Sequence, residues 1–336
     1  MIIAVIGATG LVGMQMVRIL ESAGIENITL IPVASSRSVG KQIQFRDEMV
    51  SVCSIDDAIA KQPDVALFSA GGDVSKKYAP LFADQGTVVI DNSSAWRQQI
   101  DIPLVVPEIN GAAITKNHKI IANPNCSTIQ LVMALAPIHS RFGVKRVIAS
   151  TYQSVSGSGQ KGIEQLKGER EHRTVEMAYP WPIDMNVIPQ GGEFLENDYT
   201  TEEMKLVFET CKILNAPNIQ VTGTVVRVPV TGGHSISAYV ECEKSASINE
   251  IKTALKKMPG VTLKDDPKNH EYPMPLFCEG SDEVFVGRVR KDLFNPLAFN
   301  MWIVSDNLRK GAATNAVQIM IYMISNNLLS VERYLL

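Results

Sequence analysis

One cysteine of this chain, Cys126, has the sequence setting of an activated thiol. It follows the proline-containing turn Asn123–Asn125 and opens an apolar helical pattern that runs from Ile129 to Ile138. At a helix start, the unpaired backbone N–H groups and the positive end of the dipole favour a thiolate, and the same groups can hold an oxyanion. The alternative is a buried structural cysteine, since free cysteines are among the most buried residues. The pattern predicts a nucleophile that attacks a carbonyl carbon.

Two further side chains with chemical potential, Arg227 and His234, lie in and just after the β-rich run Gly223–Val230. An arginine inside a strand needs an anionic partner. His234 sits in a glycine turn between two strands, where a side chain can point into a site and a histidine can move a proton. An ordinary loop histidine is the alternative until a cysteine partner is considered.

Glu209 and Lys212 share one face of a predicted helix over residues 201–214. Their i, i+3 spacing lets them pair with each other, or reach an amino group and an anion in one pocket. The spacing alone favours an ion pair between Glu209 and Lys212 over contacts with a ligand.

The N-terminus has the order strand, glycine turn, helix that is typical of a dinucleotide site. Ile2–Ile6 is a predicted strand, and a helix is predicted over residues 11–23. Gly7 permits the tight turn, Gly10 lets the backbone approach a pyrophosphate, and Gly13 allows close packing of helix on strand. The spacing is GxxGxxG rather than GxGxxG, and a glycine-rich packing turn is the alternative.

The second predicted strand, Ile28–Val33, ends without the carboxylate that binds the ribose of NAD. The next residues, Ala34–Ser38, offer hydroxyls and the Arg37 guanidinium, which suit a ribose 2′-phosphate. We therefore expect NADP rather than NAD; a solvated turn is the alternative. Further strand-like runs at residues 65–68, 88–90 and 120–122 indicate an open α/β sheet whose strand ends form the ligand crevice.

Length and composition indicate a globular enzyme of about two domains. The chain has 336 residues, of which 45% are hydrophobic and 20% charged, and its net charge is −3. The composition has no excess of basic residues that would indicate nucleic-acid binding. No apolar run approaches the roughly 18 residues of a membrane span. The apolar start reads as a buried strand rather than a signal peptide. Five cysteines without a CxxC pair fit reduced thiols in the cytoplasm and argue against a metal site.

Together these segments resemble the bacterial type of aspartate-semialdehyde dehydrogenase along nearly the whole chain. The segments that carry the resemblance are Gly7–Gly13, Ala34–Ser38, Asp91–Arg97, Asn123–Thr128, Gln153–Gly159, Arg227–Ser235 and Ser305–Gly311. The resemblance implies that Cys126 is the nucleophile, His234 the acid/base group, Gln153 the residue that orients the covalent intermediate, and Arg227 the clamp for the substrate α-carboxylate.

The same resemblance implies the remaining contacts. Glu209 meets the substrate amino group, Lys212 binds phosphate together with Arg97, and Asn125 belongs to the substrate site. The implied cofactor contacts are Gly7, Thr9, Gly10, Leu11, Val12, Gly13, Ser35, Ser36, Arg37, Ser38, Ala70, Gly71, Asn92, Ser156, Gly157, Asn307 and Gln318.

The fold implied by the resemblance is α/β, with two domains. Residues 1–125 and 308–336 form a Rossmann-type, doubly wound NADP-binding domain, to which a C-terminal helix over about 311–325 returns. Residues 126–307 form an α+β, glyceraldehyde-phosphate-dehydrogenase-like catalytic domain that dimerises through its sheet. A cytoplasmic homodimer acting on a small molecule, with no nucleic-acid or membrane partner, is expected.

The implied reaction is the reductive dephosphorylation of L-aspartyl 4-phosphate to L-aspartate 4-semialdehyde with NADP(H), in lysine, threonine and methionine biosynthesis. Inorganic phosphate is the co-substrate of the reverse reaction, and a Cys126 thioester divides the chemistry into two easier steps. One alternative is N-acetyl-γ-glutamyl-phosphate reductase, which tends to have glycine where Asn125 stands and takes an acetamide rather than a free amino group. The other is a non-catalytic NADP-binding regulatory protein.

Overall fold

The computed structural model of this protein describes residues 1–329. It contains two compact units, Met1–Pro124 together with the chain from Ala312 onward, and Asn125–Gly311. The domain limits inferred from the sequence stay a prediction, and their last seven residues, 330–336, lie outside the described residues.

Strands and helices alternate along the first unit, and a mixture of both builds the second. The strands are β1 (Ile2–Ile6), β2 (Thr29–Val33), β3 (Gln42–Phe45), β4 (Glu48–Ser51), β5 (Val65–Phe68), β6 (Val88–Asp91), β7 (Ile120–Ala122), β8 (Val144–Gln153), β9 (Gln220–Arg227), β10 (His234–Cys242), β11 (Val261–Leu263), β12 (Val284–Lys291) and β13 (Ala298–Ser305). The helices are α1 (Leu11–Ser22), α2 (Ile55–Ala60), α3 (Gly72–Asp84), α4 (Pro107–Asn110), α5 (Cys126–Phe142), α6 (Gly159–Arg170), α7 (Thr201–Ile213), α8 (Ile248–Lys257), α9 (Pro275–Cys278) and α10 (Thr314–Ser325).

The first unit is built on a five-stranded parallel sheet with the order β2-β1-β5-β6-β7. Both faces of the sheet are covered. Ile3 and Val5 of β1 pack in one core with Leu20 of α1, whereas Ile6 packs in a second core with Phe82 of α3. Burial on both faces explains why these strands are continuous apolar runs. The predicted doubly wound, Rossmann-type sheet is confirmed.

The strand order of this sheet reverses between β1 and β5, which is where open α/β sheets bind ligands. Gly7 follows β1 with a φ of +87°, and a β-carbon on it would collide with the carbonyl oxygen of Ser69, which follows β5. Only glycine fits this position.

The second unit is built on a six-stranded mixed sheet with the order β11-β12-β13-β10-β8-β9. Helices α5, α7 and α8 cover one face of it. Strand β8 shows the resulting alternation: Val147, Ala149 and Thr151 are fully buried, whereas Ile148 and Tyr152 on the opposite face are 44% and 39% exposed. The predicted α+β character of this half of the chain is confirmed.

Two regions differ from the sequence interpretation. Helix α6 was not predicted from the sequence, because its composition is polar and only Gly162, Gln165, Leu166 and Gly168 are buried. The C-terminal helix, expected over 311–325, begins as an α-helix only at Thr314 and follows a π-helical turn, Arg309–Ala313. Among residues 1–329 no helix is long and apolar enough to cross a membrane.

Candidate active site

Cys126 is the first residue of α5, as its sequence setting predicted. The side-chain oxygen of Asn125 accepts hydrogen bonds from the backbone N–H groups of Ser127 and Thr128, at 3.0 and 3.3 Å, and so caps the helix. A β-carbon on Gly311 would lie 3.0 Å from the Cys126 β-carbon, so the chain passes close to the cysteine there. The helix start that favours a thiolate is therefore present.

Asn125 also connects this helix start to α7. Its side-chain amide donates to the Glu202 carboxylate, whose other oxygen accepts a hydrogen bond from Lys205 at 2.7 Å. Its backbone N–H donates to Oε2 of Glu209 at 2.7 Å. Two carboxylates of one helix, seven residues apart, thus hold the residue that precedes the cysteine.

The Glu202 carboxylate is buried but ionised. Burial by itself raises its pKa, but the charge and hydrogen bond of Lys205, the charge of Arg227 and the hydrogen bond from Asn125 outweigh burial and lower the pKa to about 2. The charge of Arg227 therefore acts on Glu202, and the two side chains carry opposite charges.

Gln153 ends strand β8 beside the first turn of α5. Its Nε2 donates to Oγ of Ser127 at 2.7 Å, and its Oε1 is buried with no hydrogen-bond partner among residues 1–329. A buried acceptor without a partner costs free energy unless a ligand or water satisfies it. This oxygen therefore marks a place where a polar ligand would fit.

Arg227 and His234 meet at Gly157. Within the described chain, Nη1 of Arg227 and Nε2 of His234 are buried and lack hydrogen-bond partners. A β-carbon on Gly157 would lie 2.8 Å from the first atom and 2.9 Å from the second. Two unpartnered nitrogens thus lie next to one glycine, and a side chain at that position would collide with both.

The far side of the His234 ring is held by hydrogen bonds. Nδ1 lies 3.1 Å from the backbone nitrogen of Ser154 and 3.0 Å from its hydroxyl oxygen. Burial and the charge of Arg227 lower the pKa of His234 to about 3, so the ring is neutral near neutral pH. Asn307, expected at the cofactor, accepts hydrogen bonds from the hydroxyls of Ser154 and Ser156.

The structure thus brings together, in the second unit, the predicted residues Asn125, Cys126, Gln153, Arg227 and His234 with Gly157 and Asn307. For the predicted pair on α7, Glu209 and Lys212, the structure shows a backbone contact and burial. Glu209 is buried and engaged by the Asn125 backbone, and burial lowers the pKa of Lys212 despite the opposing charge of Glu209.

The sequence interpretation missed Glu202 and Lys205. This pair repeats the spacing of Glu209 and Lys212 two helical turns earlier, so residue type and spacing do not separate the two pairs. Thr200 caps α7 through a capping box with Glu203, a pattern that indicates where the helix starts but does not distinguish the two pairs.

The predicted cofactor residues of the first unit follow the ends of its parallel strands. Gly7 to Gly10 form the turn between β1 and α1, and Leu11 to Gly13 open α1. Ser35 to Ser38 follow β2 and are largely exposed, and Ala70 and Gly71 follow β5. Asn92 follows β6 and accepts a hydrogen bond from Asn123, and Gln318 lies on α10. Arg97, expected at the phosphate, is buried in this unit and donates to the Asn92 carbonyl oxygen at 2.8 Å.

The glycine turn fits a dinucleotide pyrophosphate. A β-carbon on Gly13 would collide with the Gly7 carbonyl group, and Gly71 has a φ of +87° with open space around the position of a β-carbon in the part of the chain described. Backbone can therefore approach a phosphate closely at both strand ends. No group of three or more His, Cys, Asp or Glu side chains within residues 1–329 could hold a metal ion.

Two family models match the chain. One, described as semialdehyde dehydrogenase, NAD binding domain, matches residues 2–117, and the other, described as semialdehyde dehydrogenase, dimerisation domain, matches residues 135–310. The chain therefore has the nicotinamide-cofactor domain that the glycine turn predicted.

Curated relatives and solved structures agree with these models. The aspartate-semialdehyde dehydrogenase of Aquifex aeolicus is 48% identical over 97% of this chain and 99% of its own. That of Bacillus subtilis is 45% identical over 94% of this chain and 95% of its own. The crystal structure of aspartate semialdehyde dehydrogenase II from Vibrio cholerae, complexed with ASA, has a TM-score of 0.93 and 43% identity, and covers 97% of this chain and 98% of its own. The resemblance drawn from the motifs is confirmed: this chain belongs to the aspartate-semialdehyde dehydrogenase family.

Proposed function

We propose that this protein catalyses the NADPH-dependent reductive dephosphorylation of L-aspartyl 4-phosphate to L-aspartate 4-semialdehyde, and the reverse reaction with inorganic phosphate, through a thioester on Cys126. The names of its relatives support this activity over N-acetyl-γ-glutamyl-phosphate reductase and over a non-catalytic NADP-binding regulatory protein.

The observation that carries the substrate assignment is that helix α7, which holds Glu202, packs against strand β9, which ends at Arg227, so that the charge of Arg227 acts on the Glu202 carboxylate. A free α-amino acid carries an ammonium and a carboxylate on one carbon, and this pair offers an anion to the first and a guanidinium to the second. An N-acetylated substrate has no ammonium, so it would leave the buried Glu202 carboxylate without that partner.

The neighbouring residues support the same arrangement. Lys205 lies beside Glu202 and would meet the substrate phosphate, and the charge of Arg227 acts on Glu202 as well. We therefore assign the ammonium and phosphate contacts to Glu202 and Lys205 in preference to Glu209 and Lys212. Arg97 remains a predicted second phosphate ligand.

The covalent chemistry rests on Cys126. Its thiolate attacks the acyl carbon, the new C–S bond forms as the bond to the phosphate oxygen breaks, and phosphate leaves with that electron pair. The Oε1 atom of Gln153 and the Nε2 atom of His234 would orient the thioester that remains. A nicotinamide cofactor, when bound, supplies or accepts the hydride at that carbon.

The cofactor would be NADP rather than NAD. No carboxylate follows β2, and the exposed Ser35, Ser36 and Arg37 can bind a ribose 2′-phosphate. The remaining cofactor contacts named from the resemblance stay predictions.

A homodimer is the proposed assembly. The matched dimerisation-domain model covers the six-stranded sheet, and the face opposite its helices exposes Ile148 and Tyr152. Light scattering should give twice the chain mass, and Ile148→Glu should shift it toward the monomer. A monomeric unmodified protein would contradict this assembly.

The activity is tested by phosphate-dependent reduction of NADP with the purified protein, offered L-aspartate 4-semialdehyde or N-acetyl-L-glutamate 5-semialdehyde in separate assays. Turnover of the first alone is expected. Omitting phosphate should trap a covalent adduct on Cys126, visible by mass spectrometry and absent from Cys126→Ala. Turnover of the second alone would overturn the substrate, and silence with both would overturn the enzyme assignment.

A further inference from the structure

Three asparagine side chains are joined by hydrogen bonds inside the first unit. Asn315 lies on α10, Asn123 follows β7 and Asn92 follows β6, and we call these three residues the asparagine relay. Nδ2 of Asn315 donates to Oδ1 of Asn123 at 2.7 Å, and Nδ2 of Asn123 donates to Oδ1 of Asn92 at 2.7 Å. Asn315 and Asn123 are fully buried, whereas Asn92 is partly exposed. The relay therefore runs from the core to the strand ends, where open α/β sheets bind ligands.

Two backbone carbonyl groups fix the direction of the asparagine relay. A carbonyl oxygen can only accept a hydrogen bond, so the amide atom that touches it must be the nitrogen. Nδ2 of Asn315 donates to the carbonyl oxygen of Val105 at 2.9 Å. Nδ2 of Asn123 donates to the carbonyl oxygen of Ala312 at 3.2 Å. Both amides are thus held in one orientation, and the atom of Asn92 that faces Asn123 must be the oxygen.

The outer end of the asparagine relay is a hydrogen-bond donor. Because Oδ1 of Asn92 is turned towards Asn123, Nδ2 of the same amide is turned away from it. The backbone of Asn92 is held as well: its N–H donates to the Phe68 carbonyl oxygen at 3.0 Å, and its carbonyl oxygen accepts from Arg97 at 2.8 Å. Hydrogen bonds within the described chain thus engage the backbone and Oδ1 of Asn92 but not its Nδ2. This nitrogen is a donor of fixed direction that a ligand can meet.

The place of Asn92 in the sheet indicates which part of a dinucleotide this donor meets. A dinucleotide lies across the point where the strand order reverses, which here is between β1 and β5. The ribose 2′-phosphate is proposed to lie after β2, on one side of this point, and Asn92 follows β6, on the other side. The nicotinamide half should therefore lie on the side of Asn92. Its ribose hydroxyls and carboxamide oxygen accept hydrogen bonds.

We propose that Asn123 and Asn315 are positioning residues for the cofactor: they turn the amide of Asn92 so that its Nδ2 donates to an acceptor oxygen on the nicotinamide half of the dinucleotide. The two orientations of an asparagine amide have nearly the same shape, and only one of them presents a donor. An amide that is fixed before the cofactor binds does not have to be ordered on binding, which favours affinity. The proposal rests on the cofactor named in the proposed function.

Two substitutions of Asn92 separate the relay from the ligand contact. Asn92→Asp keeps an oxygen that accepts from Asn123 but replaces the outward donor with a second oxygen, whereas Asn92→Ala removes both. We expect the dissociation constant for NADPH, measured by fluorescence titration, to rise by about 10-fold or more in both variants. The midpoint of urea unfolding should fall in Asn92→Ala, where the buried Asn123 amide loses an acceptor, and should stay close to that of the unmodified protein in Asn92→Asp. Unchanged NADPH binding by Asn92→Ala, or equal midpoints in the two variants, would overturn the proposal.

A shorter ligand locates the contact along the dinucleotide. Adenosine 2′,5′-bisphosphate has the 2′-phosphate end of NADP but lacks the nicotinamide half. We expect its dissociation constant to stay within about twofold of the unmodified value in Asn92→Asp and Asn92→Ala. Equal weakening of this ligand and of NADPH would mean that the substitutions distort the whole crevice, and the contact with the nicotinamide half would be refuted.

Asn123→Asp tests the positioning role directly. Its carboxylate can only accept hydrogen bonds, so the Asn92 amide should turn over, donate to it and present its oxygen to the cofactor. We expect NADPH binding to weaken by about 10-fold or more and adenosine 2′,5′-bisphosphate binding to stay within about twofold, a selective loss that a general structural defect would not give. Unchanged NADPH binding by this variant would refute the positioning role.

Nitrogen NMR gives a second readout of the same variant. The side-chain amide signals of Asn92 are identified by their absence from Asn92→Asp. They should shift when NADPH is added to the unmodified protein and stay in place when it is added to Asn123→Asp, whose Asn92 nitrogen faces the interior. A shift in both proteins would contradict the turned amide.

Circular dichroism checks the folding of each variant. If Asn123→Asp does not fold, Asn123→Ser takes its place: it is uncharged and smaller, it leaves the Asn92 amide without a fixed direction, and the same selective weakening of NADPH is expected. Binding of NADPH without turnover of either semialdehyde would overturn the proposed function and leave this inference standing. An unmodified protein that binds no NADPH would overturn both.

Discussion

The side-chain amide of Asn125 donates a hydrogen bond to the carboxylate of Glu202, which joins the start of helix α5 to helix α7. The oxygen of the same amide caps α5 at the residue before Cys126. One side chain therefore sets both the helix start at Cys126 and the position of the carboxylate beside Arg227. The amide nitrogen makes the hydrogen bond to Glu202 and the amide oxygen caps α5, so substitutions can test the two contacts one at a time.

Asn125→Asp should keep the cap and break the link. Aspartate caps helices as well as asparagine does, but it places a second carboxylate against Glu202. We expect the free energy of unfolding to fall by about 3 kcal/mol at neutral pH and by less near pH 4, where one of the two carboxyls holds a proton. Urea unfolding followed by tryptophan fluorescence measures both values. Asn125→Ser, which keeps a capping oxygen without a charge, should lose about 1 kcal/mol; equal losses for both variants would speak against the link.

Gly157→Ala should remove activity without unfolding the protein. The added methyl would lie 2.8 Å from Nη1 of Arg227 and 2.9 Å from Nε2 of His234, so both nitrogens must move. We expect kcat/KM to fall on the order of 10²-fold. The free energy of unfolding should fall by only about 1–3 kcal/mol, because two buried side chains must move but the backbone is not strained, since Gly157 is not among the residues with positive φ. Wild-type kinetics would show that the two nitrogens do not define the substrate position.

The local parts of this molecule could be predicted from the sequence. The capped start of α5 at Cys126 and the glycine turn after β1 both depend on neighbouring residues, such as Asn125 and Gly7, whose types set the backbone directly. Helix α6 was missed because its outer face is polar and its packing positions are largely glycines, which weaken the apolar period.

The choice between Glu202 and Glu209 could not be made from the sequence. Both glutamates precede a lysine by three residues on one helix, and both are buried. What separates them is a tertiary relationship: Glu202 faces the Asn125 amide and the Arg227 charge, and Glu209 faces a backbone N–H. The contact that holds the His234 ring is likewise tertiary, because it joins β10 to the residue after β8, far apart in sequence.

Arg37→Glu should change cofactor preference. Arg37 is exposed in the short helical turn after β2, so the substitution replaces the proposed partner of the 2′-phosphate with a repelling charge. We expect the dissociation constant for NADPH to rise by about 10-fold or more and that for NADH to change much less. Fluorescence titration measures both. Arg18→Glu, the same charge change on the exposed side of α1, is the control. Equal weakening of both cofactors by Arg37→Glu would contradict the preference for NADP.

Glu202→Gln should make the protein less sensitive to acid. The pKa of Glu202 is lowered from 4.5 to about 2 by folding, so the unfolded chain binds the proton more readily between these values. Its stabilising contribution, about 3 kcal/mol, is complete above pH 4.5 and is lost as the pH falls through about 2. The Gln variant should be less stable than the unmodified protein at neutral pH, and the difference should shrink below pH 4.5. His234 gains its proton on unfolding in both proteins, so its contribution cancels. Glu164→Gln, exposed on α6, should retain the full acid dependence, measured by urea unfolding at a series of pH values. A constant difference between Glu202→Gln and the unmodified protein down to pH 3 would mean that Glu202 is not the ionised partner of Lys205 and Arg227.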